Sequence, residues 1–180
     1  VTTAPVYPPF LTAPVFSERN SLKLEMVFVD GRWTFDWAKL EEACAQPHAK
    51  ILLLCNPYNP LARVFDRVEL DRLAALVRKH DLLVCSDEIH CDLVLDDLPH
   101  TTGLKLSSPD GPPILSMFAP SKTFNLAGLA CAFVVVPDAT TRRIFQKAAR
   151  GLITEINTLG YAGCEAAFKF GWPWHRELIE

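Results

Sequence analysis

At 180 residues the chain is long enough for one domain with a real hydrophobic core. Its content, 49% hydrophobic and 22% charged with a net charge of −3, is that of an ordinary globular protein and offers no basic surface, so neither nucleic acid nor an anionic membrane is expected as a partner. The longest apolar runs, about seven residues, are too short to span a bilayer.

The opening, Thr2 to Phe16, carries prolines at 5, 8, 9 and 14 among aromatics. Proline breaks a regular helix, so the residues alone read as a rigid loop; a loop that presents Tyr7 as a flat face for a ring is the functional alternative. Leu22 to Val29 predicts one strand, with Leu22, Leu24, Met26 and Phe28 alternating against Lys23 and Glu25. Asp30-Gly31 turns the chain. Trp33 to Asp36 then leads into a helix that ends near Gln46-Pro47, with Trp37, Leu40 and Cys44 on one face.

Ile51 to Cys55 is a continuous apolar run, the pattern of a parallel strand buried on both faces. It enters Asn56-Pro57-Tyr58-Asn59-Pro60, where each proline pushes the preceding asparagine out of the helical region and leaves its amide free to point sideways. Asp66-Arg67-Val68-Glu69 is a capping box that opens a helix to about His80, with Leu70, Leu73, Ala74 and Val77 inward. Leu82 to Cys85 predicts a second buried strand, followed by Ser86-Asp87-Glu88-Ile89-His90. Two acids directly after a buried strand need partners, and a cationic ligand is one candidate.

A polar loop is expected from Asp96 to Gly111, with Pro99, Gly103 and Pro109. Ile114 to Phe118 predicts a third buried strand, which runs into Ser121-Lys122-Thr123-Phe124-Asn125. A lysine there is either a surface side chain at a strand-to-loop junction or an amine desolvated into a nucleophile or base. Ala130 to Val136 predicts a fourth strand, Pro137-Asp138 caps a helix over Thr140 to Arg150, and Thr154 to Phe170 reads as a long helix rich in small residues. Gly171-Trp172-Pro173 breaks it, and another helix begins. The six cysteines form no C-x-x-C pair, so a metal or redox motif is not expected, and reduced thiols in a cytoplasmic protein fit best.

Strands alternating with helices make a mostly parallel sheet, and ligands of such sheets bind at the carboxyl ends of the strands. Asn59, Asp87 and Lys122 each follow a different buried strand, so they converge on one edge. A lysine for a Schiff base, an acid for a pyridinium nitrogen and an amide donor for a phenolate oxygen together suit pyridoxal phosphate.

On three motifs, Asn56-Pro-Tyr-Asn-Pro60, Ser86-Asp-Glu-Ile-His90 and Ala119-Pro-Ser-Lys-Thr-Phe-Asn-Leu-Ala-Gly-Leu129, the chain resembles the fold-type I pyridoxal-phosphate enzymes of the aminotransferase class I/II superfamily. The branch it is most similar to cleaves cystathionine and cysteine S-conjugates. The resemblance implies a three-layer α/β/α fold with a mostly parallel mixed sheet. It implies that Lys122 bonds the cofactor covalently and removes the substrate's α-proton, that Asp87 pairs with the pyridine nitrogen and that Asn59 bonds the phenolate oxygen. It also implies that Tyr7 stacks on the ring and that Ser121 contacts the phosphate. His90 stands where aminotransferases carry a tyrosine, as a cofactor contact or a packing histidine. Leu61-Ala62 follow Pro60 where aminotransferases commonly have Thr-Gly, and Ala130 replaces a phosphate-binding arginine; that second departure favours a carbon–sulfur lyase over an aminotransferase. The resemblance further implies an amino-acid substrate, a homodimer, a cofactor-binding domain over residues 1–155 that is incomplete at its N-terminal side, and a link over 156–180 towards a second domain.

Overall fold

The computed structural model describes residues 1–95, 97–107 and 111–180. The opening segment is a strand, β1 (Thr2–Ala4), followed by a helix, α1 (Pro9–Phe16), rather than a loop. Proline is tolerated here for a local reason. Pro8 and Pro9 stand at the N-cap and first helical position, where backbone N–H groups have no intrahelical partner anyway. Pro14 then removes a single bond from a helix only two turns long.

The strand expected over 22–29 is two strands, β2 (Lys23–Glu25) and β3 (Val27–Val29), broken at Met26. β2 pairs parallel with β1, and Met26 N–H donates to Ala4 O at 2.7 Å, whereas β3 forms an antiparallel hairpin with β4 (Arg32–Thr34). Only Met26 of the alternating set is buried; Phe28 is 60% exposed and meets Trp33 edge-on instead. Helix α2 (Trp37–Cys44) is capped by Asp36, whose carboxylate accepts from Lys39 N–H.

The centre is a four-stranded sheet in the order β5 (Ile51–Cys55), β6 (Leu83–Asp87), β7 (Ile114–Phe118), β8 (Phe133–Val135). The first three strands are parallel and β8 is antiparallel to β7. Val1 extends the sheet beyond β5, its backbone bonding Ile51 O and Leu53 N–H. Helix α3 (Arg67–Lys79) connects β5 to β6 and starts with the expected capping box between Asp66 and Glu69. Glu69 also pairs with Arg32 and the buried Arg63, which in turn lies over the Phe65 ring.

The α2/α3 face of the sheet is the core. Leu52, Leu54, Val84 and Ile114 point into it and meet Leu40, Cys44, Leu70, Leu73 and Val77. Full burial of one such side chain is worth about 1.5–3 kcal/mol. The opposite face is thinner: Leu53 and Cys85 are half-buried and Ile51 is 43% exposed, so the apolar run at β5 is not buried on both sides. Of the polar loop expected over 96–111, Asp96 and residues 108–110 lie outside the described residues, and Gly103–Leu106 form a 3-10 turn.

Lys122 sits in a short helix, α4 (Pro120–Thr123). A 3-10 turn, β8 and α5 (Ala139–Ala149, capped by Asp138) follow. The long C-terminal helix begins later than expected, at α6 (Thr158–Phe170), because Asn157 caps it through Gly160 N–H. After Gly171 the chain forms α7 (Trp172–Ile179). Both helices grip the residue after α4: Phe124 meets Phe168 and Trp172 edge-on at 5.6 and 5.4 Å. Among the described residues no helix is long and apolar enough to cross a membrane, and all six cysteines are free.

Leu73→Ala is expected to lower unfolding free energy by about 2–5 kcal/mol through the cavity it leaves. Val68→Ala, at a position 78% exposed on the same helix, should change it by under about 0.5 kcal/mol. Urea denaturation of both compares them; equal losses would mean that α3 does not pack by the face described.

Candidate active site

The register of the parallel strands sets the site. Cys55 pairs with Asp87 and Asp87 with Met117, so β5, β6 and β7 end at one level. The ladder runs one residue further: Asn56 N–H donates to Asp87 O at 3.0 Å and Glu88 N–H to Met117 O at 2.9 Å. The chain then leaves the sheet three times along a single edge, carrying Asn59, Asp87–His90 and Ser121–Lys122.

The two asparagines after β5 are not equivalent. Asn56 is fully buried; its amide donates to Thr101 O (3.1 Å) and accepts from Phe65 N–H (3.1 Å), so it is not free as expected. Asn59 is half-buried and its amide has no hydrogen-bond partner among the described residues, while its backbone is held on both sides. Its N–H donates to the Cys55 thiol at 3.4 Å, and its carbonyl accepts from Tyr7 N–H at 3.0 Å. That second bond brings Tyr7 to the edge with its ring 46% exposed. Cys55 is a support that the sequence reading missed. Burial pushes its thiol up to about 11, so it stays protonated and acts as a neutral hydrogen-bonding group.

The paired acids divide in the same way, because successive residues of a strand point to opposite faces. Glu88 enters the core, fully buried, and is partnered by His100 Nε2 (2.8 Å) and Gly103 N–H (3.0 Å). Asp87 faces the thinner side and accepts one hydrogen bond, from Ile89 N–H at 3.1 Å. Burial pushes its carboxyl above the usual range; the Ile89 and His90 contacts oppose that shift and the Glu88 charge adds to it. His90 stands between the other charges: burial and then the Lys122 ammonium hold its imidazole below the ordinary value, against the pull of Asp87. These couplings place Asp87, His90 and Lys122 in one electrostatic neighbourhood.

Lys122 is exposed and makes no hydrogen bond or ion pair among the described residues, so of its two readings the structure shows the surface side chain and not the desolvated amine. What is fixed is its backbone, by Pro120 at the helix start and by the packing of Phe124. Ser121 is half-buried in the same turn, with its carbonyl bonded to Leu126 N–H at 3.0 Å. A cavity of about 860 Å³ opens beside this edge; Asn59 and His90 line it with Tyr58, Leu93 and Leu98, whereas Asp87, Lys122, Tyr7 and Ser121 do not. The cavity therefore adjoins the polar edge and is not its floor.

A mixed sheet with an asparagine, an acid and a lysine after three successive parallel strands defines an α/β protein with a ligand site at the strand ends. Residues 18–170 match the family model for aminotransferase class I and II, and the chain belongs to that family. It is similar to cystathionine beta-lyase PatB of Bacillus subtilis (strain 168), 36% identical over 180 residues, which covers 99% of this chain and 46% of the relative. Protein MalY of Escherichia coli (strain K12) is 31% identical over 176 residues, with 97% and 44% covered. The solved structure of cystalysin from Treponema denticola, which contains a pyridoxal 5'-phosphate cofactor, superposes with a TM-score of 0.93 at 34% identity, over 99% of this chain and 45% of that one. The chain thus spans about half the length of the curated relatives it matches.

Asp87 has a folded-state pKa raised above the ordinary 3.8, so the folded protein holds this proton more tightly than the unfolded chain does. Its contribution is most favourable below 3.8 and turns into a cost as pH rises through the raised value. Asp87→Asn keeps an oxygen for Ile89 N–H. It is expected to stabilise the ligand-free protein at neutral pH and to lose that advantage in acid, as read from urea midpoints at the two conditions. A loss of stability at neutral pH would show that a cation of the protein already neutralises the carboxylate.

Proposed function

We propose that this chain is the cofactor-binding part of a pyridoxal-phosphate-dependent carbon–sulfur β-lyase, which cleaves cystathionine or related cysteine S-conjugates to a thiol, pyruvate and ammonia. The observation that carries the reading is the division within each motif. Asn56 and Glu88, which enter the core, have all their partners; Asn59, one oxygen of Asp87 and Lys122, which stay at the edge, have none among the described residues. That unpaired set is a donor, a carboxylate and an amine, which fits the phenolate oxygen, the pyridinium nitrogen and the aldehyde of the cofactor. Similarity to a cystathionine beta-lyase across nearly the whole chain supports the same choice of reaction.

When bound, pyridoxal phosphate supplies an electron sink for the α-carbon of an amino acid. The chain's own residues do the rest. Nζ of Lys122 would hold the cofactor covalently and, once free, would take the substrate's α-proton as a general base. Asp87, as the carboxylate, would pair with the ring nitrogen and keep a proton on it; its single protein hydrogen bond among the described residues, from Ile89 N–H, leaves an oxygen for that role. Asn59 would donate to the phenolate oxygen from a backbone held by Cys55 and Tyr7. The Tyr7 ring would lie against the cofactor and Ser121 would contact its phosphate, while His90, whose imidazole burial and the Lys122 charge hold below the ordinary value, would serve as a cofactor contact. Once the α-proton has gone, the bond from the β-carbon to sulfur breaks and the thiolate leaves. The intact protein is expected to act as a homodimer in the cytoplasm, with residues 1–155 carrying the cofactor site and 156–180 leading to a second domain.

The intact protein should show the visible absorption of a lysine-bound cofactor, and Lys122→Ala should lose it; absorption that survives there removes Lys122 from the role. Given cystathionine and no keto acid, the protein should release pyruvate and thiol in equal amounts. Turnover that starts only after a keto acid is added would make it an aminotransferase.

A further inference from the structure

We propose that Glu88 and His100 form a buried positioning clamp, which fixes the segment 98–103 and through it the backbone from which Asp87 and His90 project. The clamp rests on the reading of the site given above, and neither residue touches the reacting atoms in that reading.

Glu88 follows Asp87 directly and is fully buried. A buried carboxylate is costly unless well-placed donors surround it. Here it has two, Gly103 N–H at 3.0 Å and His100 Nε2 at 2.8 Å, both from one segment. The contact at Gly103 has no slack: a Cβ there would lie 3.0 Å from Ser86 Oγ and 3.1 Å from Ile114 Cδ1. Asn56, the residue that follows β5, grips the same segment through Thr101 O at 3.1 Å. Segment 100–103 is therefore held at three points by residues that directly follow two of the strands bearing the site.

The clamp reaches the edge by two routes. Leu98, Pro99 and Thr101 share the cavity wall with Asn59 and His90. Glu88 also fixes its own backbone, whose carbonyl accepts from Cys91 N–H at 2.9 Å and so sets the turn that carries His90. An apolar pair of the same volume would fill the space, but two directed hydrogen bonds set distance and angle as well.

The test uses the intact protein and the variants Glu88→Gln, His100→Leu and His100→Gln, with thermal melts to confirm folding. The readouts are amide exchange over 87–103 without cofactor, and pyridoxal phosphate affinity by visible titration. Glu88→Gln and His100→Leu are expected to weaken cofactor binding at least about tenfold and to quicken exchange at 98–103 and at 87–93. His100→Gln, which keeps a donor for Glu88, should stay within about threefold of the parent. Folded variants whose exchange quickens only at 98–103, with cofactor affinity unchanged, would reduce the clamp to a packing contact. If Glu88→Gln does not fold, the two His100 variants decide. A parent that binds no cofactor would sink the proposed function instead. Exchange alone would then judge the clamp: quickening that reaches 87–93 upholds it, and quickening confined to 98–103 overturns it.

Discussion

The in-register ending of β5, β6 and β7 is the constraint on which the site depends. Parallel strands point every carboxyl end the same way, and the pairings Cys55–Asp87 and Asp87–Met117 place those ends on one line. A slip of one residue would do more than shift the site: it would turn Asp87 into the core and Glu88 out to the thinner face, since side chains alternate along a strand. The buried pairing of Glu88 with His100 and Gly103 therefore also favours this register.

Alternation divides labour between neighbours. In the first two motifs one polar residue supports the structure and another stays available. Asn56 binds the segment before α3 and the segment before the 3-10 turn, which leaves Asn59 with only its backbone engaged. Glu88 takes the two donors in the core, which leaves Asp87 with one. Unpaired polar groups at partly buried positions lower the stability of the empty fold. That cost is what a preorganised site looks like before its ligand arrives.

Much of the fold was legible because its signals are local. The Asp66–Glu69 box, the apolar run at 51–55 and the proline-broken end of the last long helix each state their element within a few residues. What failed depended on pairing at a distance. Residues 22–29 alternate as a single strand should, but Met26 is drawn to β1 by Ala4 O, and the rest of the segment turns to β4. Prolines 8 and 9 read as helix breakers until they fall at a helix start. The proposed site residues, Asn59 and Asp87 among them, were picked out through motif order, but what engages their neighbours Asn56 and Glu88 was not visible, because it depends on Thr101, Phe65, His100 and Gly103. No short spacing announces those partners. The support from Cys55 was missed for a related reason: a cysteine that ends an apolar strand carries no sign that its sulfur will meet a backbone N–H.

Lys122 shows where local chemistry and tertiary structure part. Its setting left open a surface side chain or an amine withdrawn from water; the side chain is exposed, and what the fold holds is the turn beneath it. Phe124, two residues on, is buried against Phe168 and Trp172, and the approach is close enough that a Cβ on Gly171 would come within 2.7 Å of its ring. His175 of the same final helix bonds Asp92 O, two residues past His90. The C-terminal helices thus tie to both the lysine turn and the segment after His90, and neither the Lys122 nor the His90 side chain has a hydrogen-bond partner among the described residues. An amine on a four-carbon stem can reach a carbonyl carbon and later an α-proton only if it keeps that freedom. In the proposed reading Lys122 has two successive tasks, and an exposed side chain without a partner among the described residues suits them, whereas a lysine buried in advance would have to give up its first contacts before it could make its second.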